Sequence, residues 1–261
     1  MAFAENGPAS IFWRENGDSG KPVLLLLNLI GSATHVWDWV VPHLERDYRL
    51  LRLDARGHGG SSSPDGEYSL DDLARDVLTV LDAAQVERAT VCGVSLGGMI
   101  AMNLALMAPA RVSNLILACT SARMDPAIWR ARIDMVRAGG MAAAADLTMQ
   151  RYFTPEFVAA NPQIVQTIRQ AFLTVDPAGY RGCCAAIRDM RLLDRITGIT
   201  APALVISGDR DVATPFTGNG SEIVGHMAGA SHVALATAHA PCVEAPALFA
   251  DTLRKFLRRA D

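Results

Sequence analysis

Short apolar runs and amphipathic stretches alternate through the first half of the chain. Residues Val23–Leu27 are continuously apolar, which is typical of a parallel strand that is buried on both faces. After Ser69, apolar side chains recur at helical spacing, so the pattern predicts a helix with Ser69 as its N-cap and an end near Ala84. Similar runs predict further strands at residues 10–13, 49–53, 89–92, 112–118, 203–206 and 233–235.

The alternation stops after Ser121. No run between Asp125 and Ile196 has strand character, and short Ala-rich segments favour helices at residues 129–137, 141–152, 162–172 and 179–190. Strand character then returns, and a closing helix is predicted at about residues 247–258. The pattern therefore predicts an α/β fold with a doubly wound, mostly parallel sheet. Residues 1–121 and 197–261 would form this core, and residues 122–196 would form an inserted helical cap.

Composition and charge exclude several classes of partner. The 261 residues are 50% hydrophobic and 20% charged, which fits one large α/β domain. The formal net charge of −3 gives no reason to expect a nucleic acid or a membrane as partner. No apolar run approaches the roughly 18 residues of a membrane span, and residues 1–10 lack a signal-peptide pattern. We expect a cytoplasmic protein that acts on a small molecule; the sequence does not determine its oligomeric state.

The cysteines predict neither a disulfide framework nor a metal site. There are 5 of them, at irregular spacing. Cys92 and Cys119 fall in predicted core strands, where a cysteine behaves as a small hydrophobic residue. The adjacent Cys183 and Cys184 have no His or Cys nearby that could complete a metal site. We expect no metal and no cofactor.

A predicted strand turns into a predicted helix at residues 93–98, and this turn carries the strongest chemical signal. Its sequence is Gly-Val-Ser-Leu-Gly-Gly, and Gly-x-Ser-x-Gly in this setting is the nucleophile elbow of serine hydrolases. The strained turn would expose the Ser95 hydroxyl, and the helix N-terminus would offer the Leu96 amide to an oxyanion. A dinucleotide-binding turn is the alternative, but it requires glycine in place of Ser95 and an acidic residue about 20 positions later.

A serine nucleophile requires a base, and the base requires an acid that orients it. In this class of fold the three residues follow one another as serine, acid and histidine. Asp209 and Asp211 both come directly after the predicted strand at residues 203–206. Asp211 lies further out, where it can turn back toward a histidine, whereas Asp209 suits a turn that bonds its own backbone. We predict Asp211 as the acid.

Three histidines come late enough in the chain to be the base. His226 precedes the last predicted strand, and His232 lies at the start of that strand, at the wrong edge of the sheet. His239 follows the strand, so it lies at the same edge as Ser95. We predict His239 as the base.

Backbone groups and buried charges near the site complete the prediction. The second oxyanion donor is expected in residues 28–32, the loop after the Val23–Leu27 strand. We choose the amide of Ile30, with that of Leu29 as the alternative. A further glycine-rich turn carries an acidic and two basic side chains, and we expect it to hold an internal ion pair near the site. These side chains are Asp54, Arg56 and His58.

The chain resembles the α/β-hydrolases over its whole length, and most closely the 3-oxoadipate enol-lactonases. The loop Asn-Leu-Ile-Gly-Ser is similar to the Asn-Ser-Leu-Gly-Thr type of loop in these lactonases, whereas most α/β-hydrolases carry His-Gly there. The cap is the most specific part of the resemblance. Leu29 and Leu96 depart from it, since the family favours a small polar residue and methionine there. The similar segments are residues 54–59, 128–133, 151–157, 179–189, 239–241 and 244–246.

The resemblance implies both a reaction and a substrate. The activated serine would open a small enol-lactone that carries a carboxylate, through an acyl-enzyme, and the product would be 3-oxoadipate. Because this substrate keeps a free carboxylate, the resemblance implies a cation in the cap, with Arg132 and Arg188 as candidates. Trp129 would form a wall of the pocket.

Two other functions are compatible with the same residues. One is a different carboxylesterase or lactonase activity, including that of a cofactor-free perhydrolase. The other belongs to a different class, a ligand-binding receptor that has lost catalysis. The intact set of Ser95, Asp211 and His239 argues against the receptor.

Overall fold

The structure, a computed structural model, describes residues 1–260, with side chains through residue 258. Its strands are β1 (Ala2–Asn6), β2 (Ala9–Asn16), β3 (Val23–Leu27), β4 (Arg49–Leu53), β5 (Ala89–Val94), β6 (Val112–Ala118), β7 (Ala203–Gly208) and β8 (Ser231–Leu235). Its helices are α1 (Val41–Leu44), α2 (Leu70–Ala83), α3 (Leu96–Met107), α4 (Pro126–Gly139), α5 (Ala142–Tyr152), α6 (Pro155–Ala160), α7 (Pro162–Leu173), α8 (Pro177–Asp189), α9 (Gly220–His226), α10 (Pro241–Glu244) and α11 (Pro246–Ala260).

The strands form one sheet in the order β1-β2-β4-β3-β5-β6-β7-β8. β1 pairs antiparallel with β2, and β2 with β4, while every other pair is parallel. The leucines at positions 24–27 of β3 are buried between β4 and β5, as their continuous apolar run predicts. The mostly parallel α/β sheet is therefore confirmed. Because parallel strands end at the same edge, the loops after β3, β5, β7 and β8 are neighbours there.

The sheet begins with β1, a strand that the hydrophobic pattern does not predict. Only Ala4 of this strand is buried, and Phe3 is exposed, so the segment lacks the alternation of a core strand. Pairing with the longer β2, for example Phe3 with Phe12, supplies its hydrogen bonds. Backbone pairing rather than apolar burial therefore accounts for this edge strand.

Helix α2 forms where the apolar spacing predicts it. The Ser69 Oγ accepts a hydrogen bond from the Asp72 amide at 3.1 Å, and the Asp72 carboxylate accepts one from the Ser69 amide at 3.0 Å. This capping box pairs amides that the start of a helix leaves without partners. Leu73, Val77 and Val80 are buried, and the helix packs against α3 and β1.

Five helices, α4–α8, follow one another between β6 and β7, where the pattern predicts helices and no strand. α4 and α8 pack against each other. The pattern does not predict α6, because its six residues are too few to show a helical period and none of them is buried. The division of the chain into a core and a cap stays a prediction.

The hydrophobic pattern also does not predict three other short helices, α1, α9 and α10. Each has between four and seven residues, which is two turns or less. No helix within residues 1–260 has both the length and the apolar character to cross a bilayer.

Candidate active site

Ser95 lies in the sharp turn between β5 and α3, with a φ of +56°. This left-handed conformation is uncommon for a residue with a side chain and is found in strained active-site turns. The turn also requires glycine on both sides. A Cβ on Gly93 would lie 2.2 Å from the Gly97 carbonyl carbon, and a Cβ on Gly97 would lie 2.2 Å from the Leu27 carbonyl oxygen. The Ser95 amide donates to the Ala118 carbonyl at 2.9 Å, which fixes the turn against β6.

Two backbone amides, one at this turn and one in the loop after β3, are available as donors. Leu96 is the first residue of α3, where a helix leaves its amides unpaired. Ile30 lies in the loop after β3 and lines the same cavity as Ser95, whereas Leu29 is absent from the described lining. In residues 1–260 no group accepts a hydrogen bond from the Ile30 or Leu96 amide. Two such donors beside a hydroxyl have the chemistry of an oxyanion hole.

Asp211 and His239 meet at the same edge of the sheet, both buried. The His239 Nδ1 donates to the Asp211 Oδ2 at 2.8 Å, and the Thr214 hydroxyl donates to the same oxygen at 2.8 Å. The Asp211 Oδ1 accepts from the amides of Ala213 and Thr214 at 2.8 and 3.1 Å. Four donors therefore hold the carboxylate, and its bond to Nδ1 leaves Nε2 as the ring nitrogen that can take a proton.

The charge state of this pair suits an acid that orients a base. Burial by itself raises the pKa of Asp211, but the charge and hydrogen bond of His239 and the bonds from Thr214 outweigh it and lower the pKa to about 2. Ser95 and His239 both line the cavity. The Ser95 hydroxyl has no hydrogen-bond partner in the described part of the chain, and serine–histidine bonds often tighten only when substrate binds.

The residues that compete with this pair lie elsewhere. His232 bonds the Ser207 hydroxyl at 2.8 Å, and the Nδ1 of His226 bonds the Glu222 carbonyl of its own helix at 2.8 Å. Asp209 is exposed, and its carboxylate makes no hydrogen bond within residues 1–260, so the predicted bond to its own backbone is not formed. None of these three lines the cavity beside Ser95, as far as the structure describes it.

The predicted ion pair near the site exists, but its acidic partner lies outside the turn. Arg56 binds Asp76 of α2 through Nε and Nη2, each at 2.6 Å, and both residues are buried. Asp54 instead accepts hydrogen bonds from backbone amides, among them that of Gly60 at 2.8 Å. The turn is therefore held by backbone donors and anchored to a helix.

A cavity of about 150 Å³ opens beside Ser95. The side of the cavity that faces Ser95 is formed by helices of the predicted cap. α4 contributes Trp129 and Arg132, and α5 contributes Arg151 and Tyr152. The volume is below the range of about 300–1,000 Å³ that is common for drug-sized ligands, so a small substrate fits this site.

Among the described residues, two buried donors without a hydrogen-bond partner lie on the side of the cavity that α4 and α5 form. The Arg132 Nε donates to the Tyr180 hydroxyl at 2.9 Å, and its Nη2 donates to Thr148, but its buried Nη1 has no partner among the described residues. The buried indole Nε1 of Trp129, three residues earlier on α4, likewise has no partner within residues 1–260. Burial, together with the charge of Arg132, lowers the pKa of Arg151. This side of the cavity therefore carries two arginines, Arg132 and Arg151, and two buried donors, Arg132 Nη1 and Trp129 Nε1, that could bind an acceptor.

Arg188, the second predicted cation of the substrate site, does not line the described cavity. Its guanidinium bonds Glu67 at 2.7 Å and Asp189 at 2.5 Å, so two carboxylates already compensate its charge. Arg188 lies near the end of α8, whereas the residue of α8 that lines the cavity is Tyr180, more than two turns earlier. The structure therefore places Arg188 away from the described cavity, and the second arginine that lines this cavity is Arg151.

Sequence reasoning misses the roles of Arg151, Tyr152 and Thr148 in this wall. All three lie on α5 and line the cavity. The sequence spacing does indicate that these residues lie together, because positions 148, 151 and 152 are three and four residues apart and so share one face of a helix. Which face of α5 lines the cavity depends on how this helix packs against its neighbours, and the spacing of residues along the sequence does not determine that packing.

Cys119 also lies beside the pair of Asp211 and His239. Its Sγ and one ligand atom of each of the two others lie within 4.8 Å of one another. Burial raises the pKa of the thiol well above its usual value, and the thiol bonds the Ala238 carbonyl at 3.7 Å. A protonated, buried thiol is a poor nucleophile and a poor metal ligand. The predicted lack of a metal and of a cofactor stays a prediction.

The comparison with known families decides which group of proteins this geometry represents. The model of the alpha/beta hydrolase fold matches residues 22–245, which is most of the chain. The chain belongs to the α/β-hydrolase family.

Several α/β-hydrolases are similar to this one over nearly their whole length. The chain is 32% identical to 3-oxoadipate enol-lactonase 2 of Acinetobacter baylyi, over 93% of this chain and 91% of that protein. The solved enol-lactonase from Burkholderia xenovorans LB400 superposes with a TM-score of 0.95 at 34% identity, covering 98% of this chain and 99% of that one. A putative carbamate hydrolase of Variovorax paradoxus is 30% identical over 92% of each protein. The protein is therefore a hydrolase, and enol-lactonases are among the relatives to which it is similar.

Proposed function

We propose that the protein hydrolyses a small enol-lactone that carries a carboxylate, with 3-oxoadipate enol-lactone as the substrate and 3-oxoadipate as the product. Ser95 is the nucleophile, His239 the general base and Asp211 the acid that orients the imidazole. The amides of Ile30 and Leu96 stabilise the oxyanion. The proposal is supported by the short Asp211–His239 bond and by the elbow geometry at Ser95.

The reaction proceeds in two stages on these residues. His239 takes the Ser95 proton as the hydroxyl oxygen attacks the lactone carbonyl, and the ring oxygen leaves as an enolate that His239 protonates. The enol becomes a ketone, and the acyl group stays on Ser95. Water, activated by His239, then releases the product. Each amide of the oxyanion hole contributes about 3 kcal/mol to this transition state.

One observation carries the assignment of the substrate class. The buried Nη1 of Arg132 has no partner in the part of the chain that the structure describes, and Arg132 lines the cavity beside Ser95. An unpaired buried donor is costly, and a carboxylate of the substrate would supply the missing acceptor. Trp129 Nε1 offers a second such donor, and Arg151 adds a second positive charge. A neutral ester would leave these groups without a partner.

The test compares 3-oxoadipate enol-lactone with p-nitrophenyl acetate, which has no carboxylate. We expect kcat/KM to favour the lactone. Arg132→Gln should lower the ratio of the two kcat/KM values about 10- to 100-fold, because a charge-assisted hydrogen bond is lost. Arg188→Gln is the matched control, since this guanidinium pairs with Glu67 and Asp189 away from the cavity. Ser95→Ala should abolish turnover of both substrates.

The same assay separates the other functions. Preference for the aryl ester, with the ratio unchanged in Arg132→Gln, would identify a general carboxylesterase and refute the lactone assignment. The relative named as a carbamate hydrolase makes carbamates the second candidate class, to be assayed in parallel. Failure of a fluorophosphonate probe to label Ser95, together with lack of turnover, would indicate a receptor rather than an enzyme.

A further inference from the structure

Two side chains from distant parts of the chain hold the single peptide unit that joins Ile30 to Gly31. The Ile30 carbonyl accepts a hydrogen bond from the hydroxyl of Tyr152, the last residue of α5. On the other side of the same peptide, the Gly31 amide donates to the Nε2 of His58 at 2.9 Å. His58 lies in the loop after β4, so the peptide is held from two separate elements.

This peptide is the centre of a turn that can exist in two forms. The Ser32 amide donates to the Leu29 carbonyl at 3.3 Å, and Gly31, at the third position, has a φ of +79°. A glycine with this φ at the third position is typical of a type II turn. A type I β-turn joins its first and fourth residues in the same way, but the peptide between its second and third residues is rotated by about 180°. Hydrogen bonds to both sides of that peptide oppose the rotation.

Both partners are themselves fixed in the protonation state that the contacts require. Burial raises the pKa of Tyr152 well above its usual value, so the phenol keeps its proton and donates. Burial lowers the pKa of His58 to about 4, so the imidazole is neutral near pH 7. Its Nδ1 lies 3.2 Å from the Arg56 carbonyl and donates to it, which leaves Nε2 as the acceptor for Gly31.

Tyr152 connects the turn with the base as well. Its ring stacks on that of His239, with centroids 5.9 Å apart and an interplanar angle of 30°. Its carbonyl accepts a hydrogen bond from the Ala240 amide at 3.0 Å. One residue of α5 therefore contacts both the Ile30 loop and the His239 loop.

We propose that Tyr152 and His58 are positioning residues, which fix the Ile30–Gly31 peptide and so hold the loop that presents the Ile30 amide, a group of the preceding Leu29–Ile30 peptide, to the developing oxyanion. The inference rests on the proposed function, because it takes the Ile30 amide as an oxyanion donor. Donors stabilise a transition state best when the loop that carries them is fixed beforehand. The phenol and the imidazole fix it from outside the loop.

The test removes the hydroxyl and keeps the ring. Tyr152→Phe retains the stacking on His239 but has no donor for the Ile30 carbonyl. With p-nitrophenyl acetate we expect kcat to fall about 10- to 100-fold while KM stays within about twofold of wild type. The affinity for phenylboronic acid, which forms a tetrahedral anion on the serine, should fall by a similar factor. Tyr68→Phe is the matched control, because it removes a phenol that donates to the Pro64 carbonyl at 2.6 Å outside this cavity.

A second pair of variants tests the other side of the peptide. His58→Gln offers an amide oxygen as acceptor near the place of Nε2, whereas His58→Leu offers none. We expect kcat in the order wild type, His58→Gln, His58→Leu, with KM little changed. If the leucine variant does not fold, the glutamine variant and Tyr152→Phe still decide the matter.

The outcomes separate this proposal from the assignment of the substrate. Lower thermal stability of Tyr152→Phe with unchanged kcat and unchanged boronic acid affinity would mean that the contact only joins helix and loop, and would overturn the proposal. A wild-type enzyme that cleaves the ester but not the lactone would refute the lactone assignment alone. A wild-type protein that cleaves neither has no oxyanion to stabilise, and both proposals then fail.

Discussion

The charge of Asp211, the proposed acid, is maintained by the groups that surround its carboxylate. Asp211 accepts hydrogen bonds from two amides and from the Thr214 hydroxyl besides the bond from His239. Ionisation is retained in spite of burial, since these partners lower the pKa to about 2. An ionised, fixed carboxylate keeps the Nδ1 of His239 protonated, so that Nε2 remains the basic nitrogen.

Asp211→Asn should therefore keep the fold and lose the reaction. An amide can hold the imidazole in the wrong tautomer, with Nδ1 as acceptor, and it does not stabilise the imidazolium. We expect kcat to fall about 10³- to 10⁴-fold at neutral pH. Asp209→Asn is the matched control two residues earlier, where the side chain is exposed. Similar activities of the two variants, measured with either substrate, would contradict the role of Asp211.

At the scale of elements, the sequence predicts the helices and strands whose apolar pattern extends over many residues, and it misses the elements that are too short to show such a pattern. β3, β4 and β6 end at the residues that their apolar runs indicate, and α2 begins at its predicted cap. Helices of four to seven residues and the edge strand β1 carry too little periodicity. The same limit applies to the site. The prediction of Ser95, Asp211 and His239 rests on the motif, the order along the chain and the sheet edge, whereas the position of a cavity residue such as Arg151 depends on helix packing.

The contact between the loops after β3 and β4 has a consequence for acid stability. His58 is buried and neutral in the folded protein, and burial lowers its pKa from 6.5 to about 4. The unfolded chain takes up the proton first, so the stabilisation is complete above pH 6.5 and declines as the pH falls to 4. Since one pKa unit corresponds to about 1.4 kcal/mol, this single group should account for a loss of about 3 kcal/mol.

His58→Gln removes the titrating group and leaves an acceptor for Gly31. Urea unfolding at pH 7, 6, 5 and 4 should give a free energy of unfolding that falls less steeply with pH in this variant than in wild type. Other acidic groups titrate in both proteins, so the difference between the two curves is the measured quantity. Parallel curves would show that folding does not lower the pKa of His58, and the stability difference expected here would then be wrong.

At the scale of the whole molecule, one buried carboxylate connects three regions that are distant in sequence. Asp76 of α2 accepts two hydrogen bonds from Arg56, in the loop after β4, and one from Asn6 of β1 at 2.8 Å. These partners lie 20 and 70 positions away. The sequence predicts an ion pair for Arg56 but not its partner, because residues so far apart meet only after the sheet has formed. The junction attaches α2 and the first strand to the loop that holds His58.

Asp76→Asn should for this reason cost more stability than its conservative chemistry suggests. The change leaves the Arg56 guanidinium buried without a compensating charge, which costs about 3–5 kcal/mol. Asp134→Asn is the matched control: Asp134 pairs with Arg137 at 2.6 Å on α4, but both side chains are more than half exposed, and such pairs contribute little. Urea unfolding midpoints of the two variants measure the difference. Equal midpoints would show that water or another acceptor reaches Arg56, and that the connection between α2, β1 and the His58 loop does not depend on this charge.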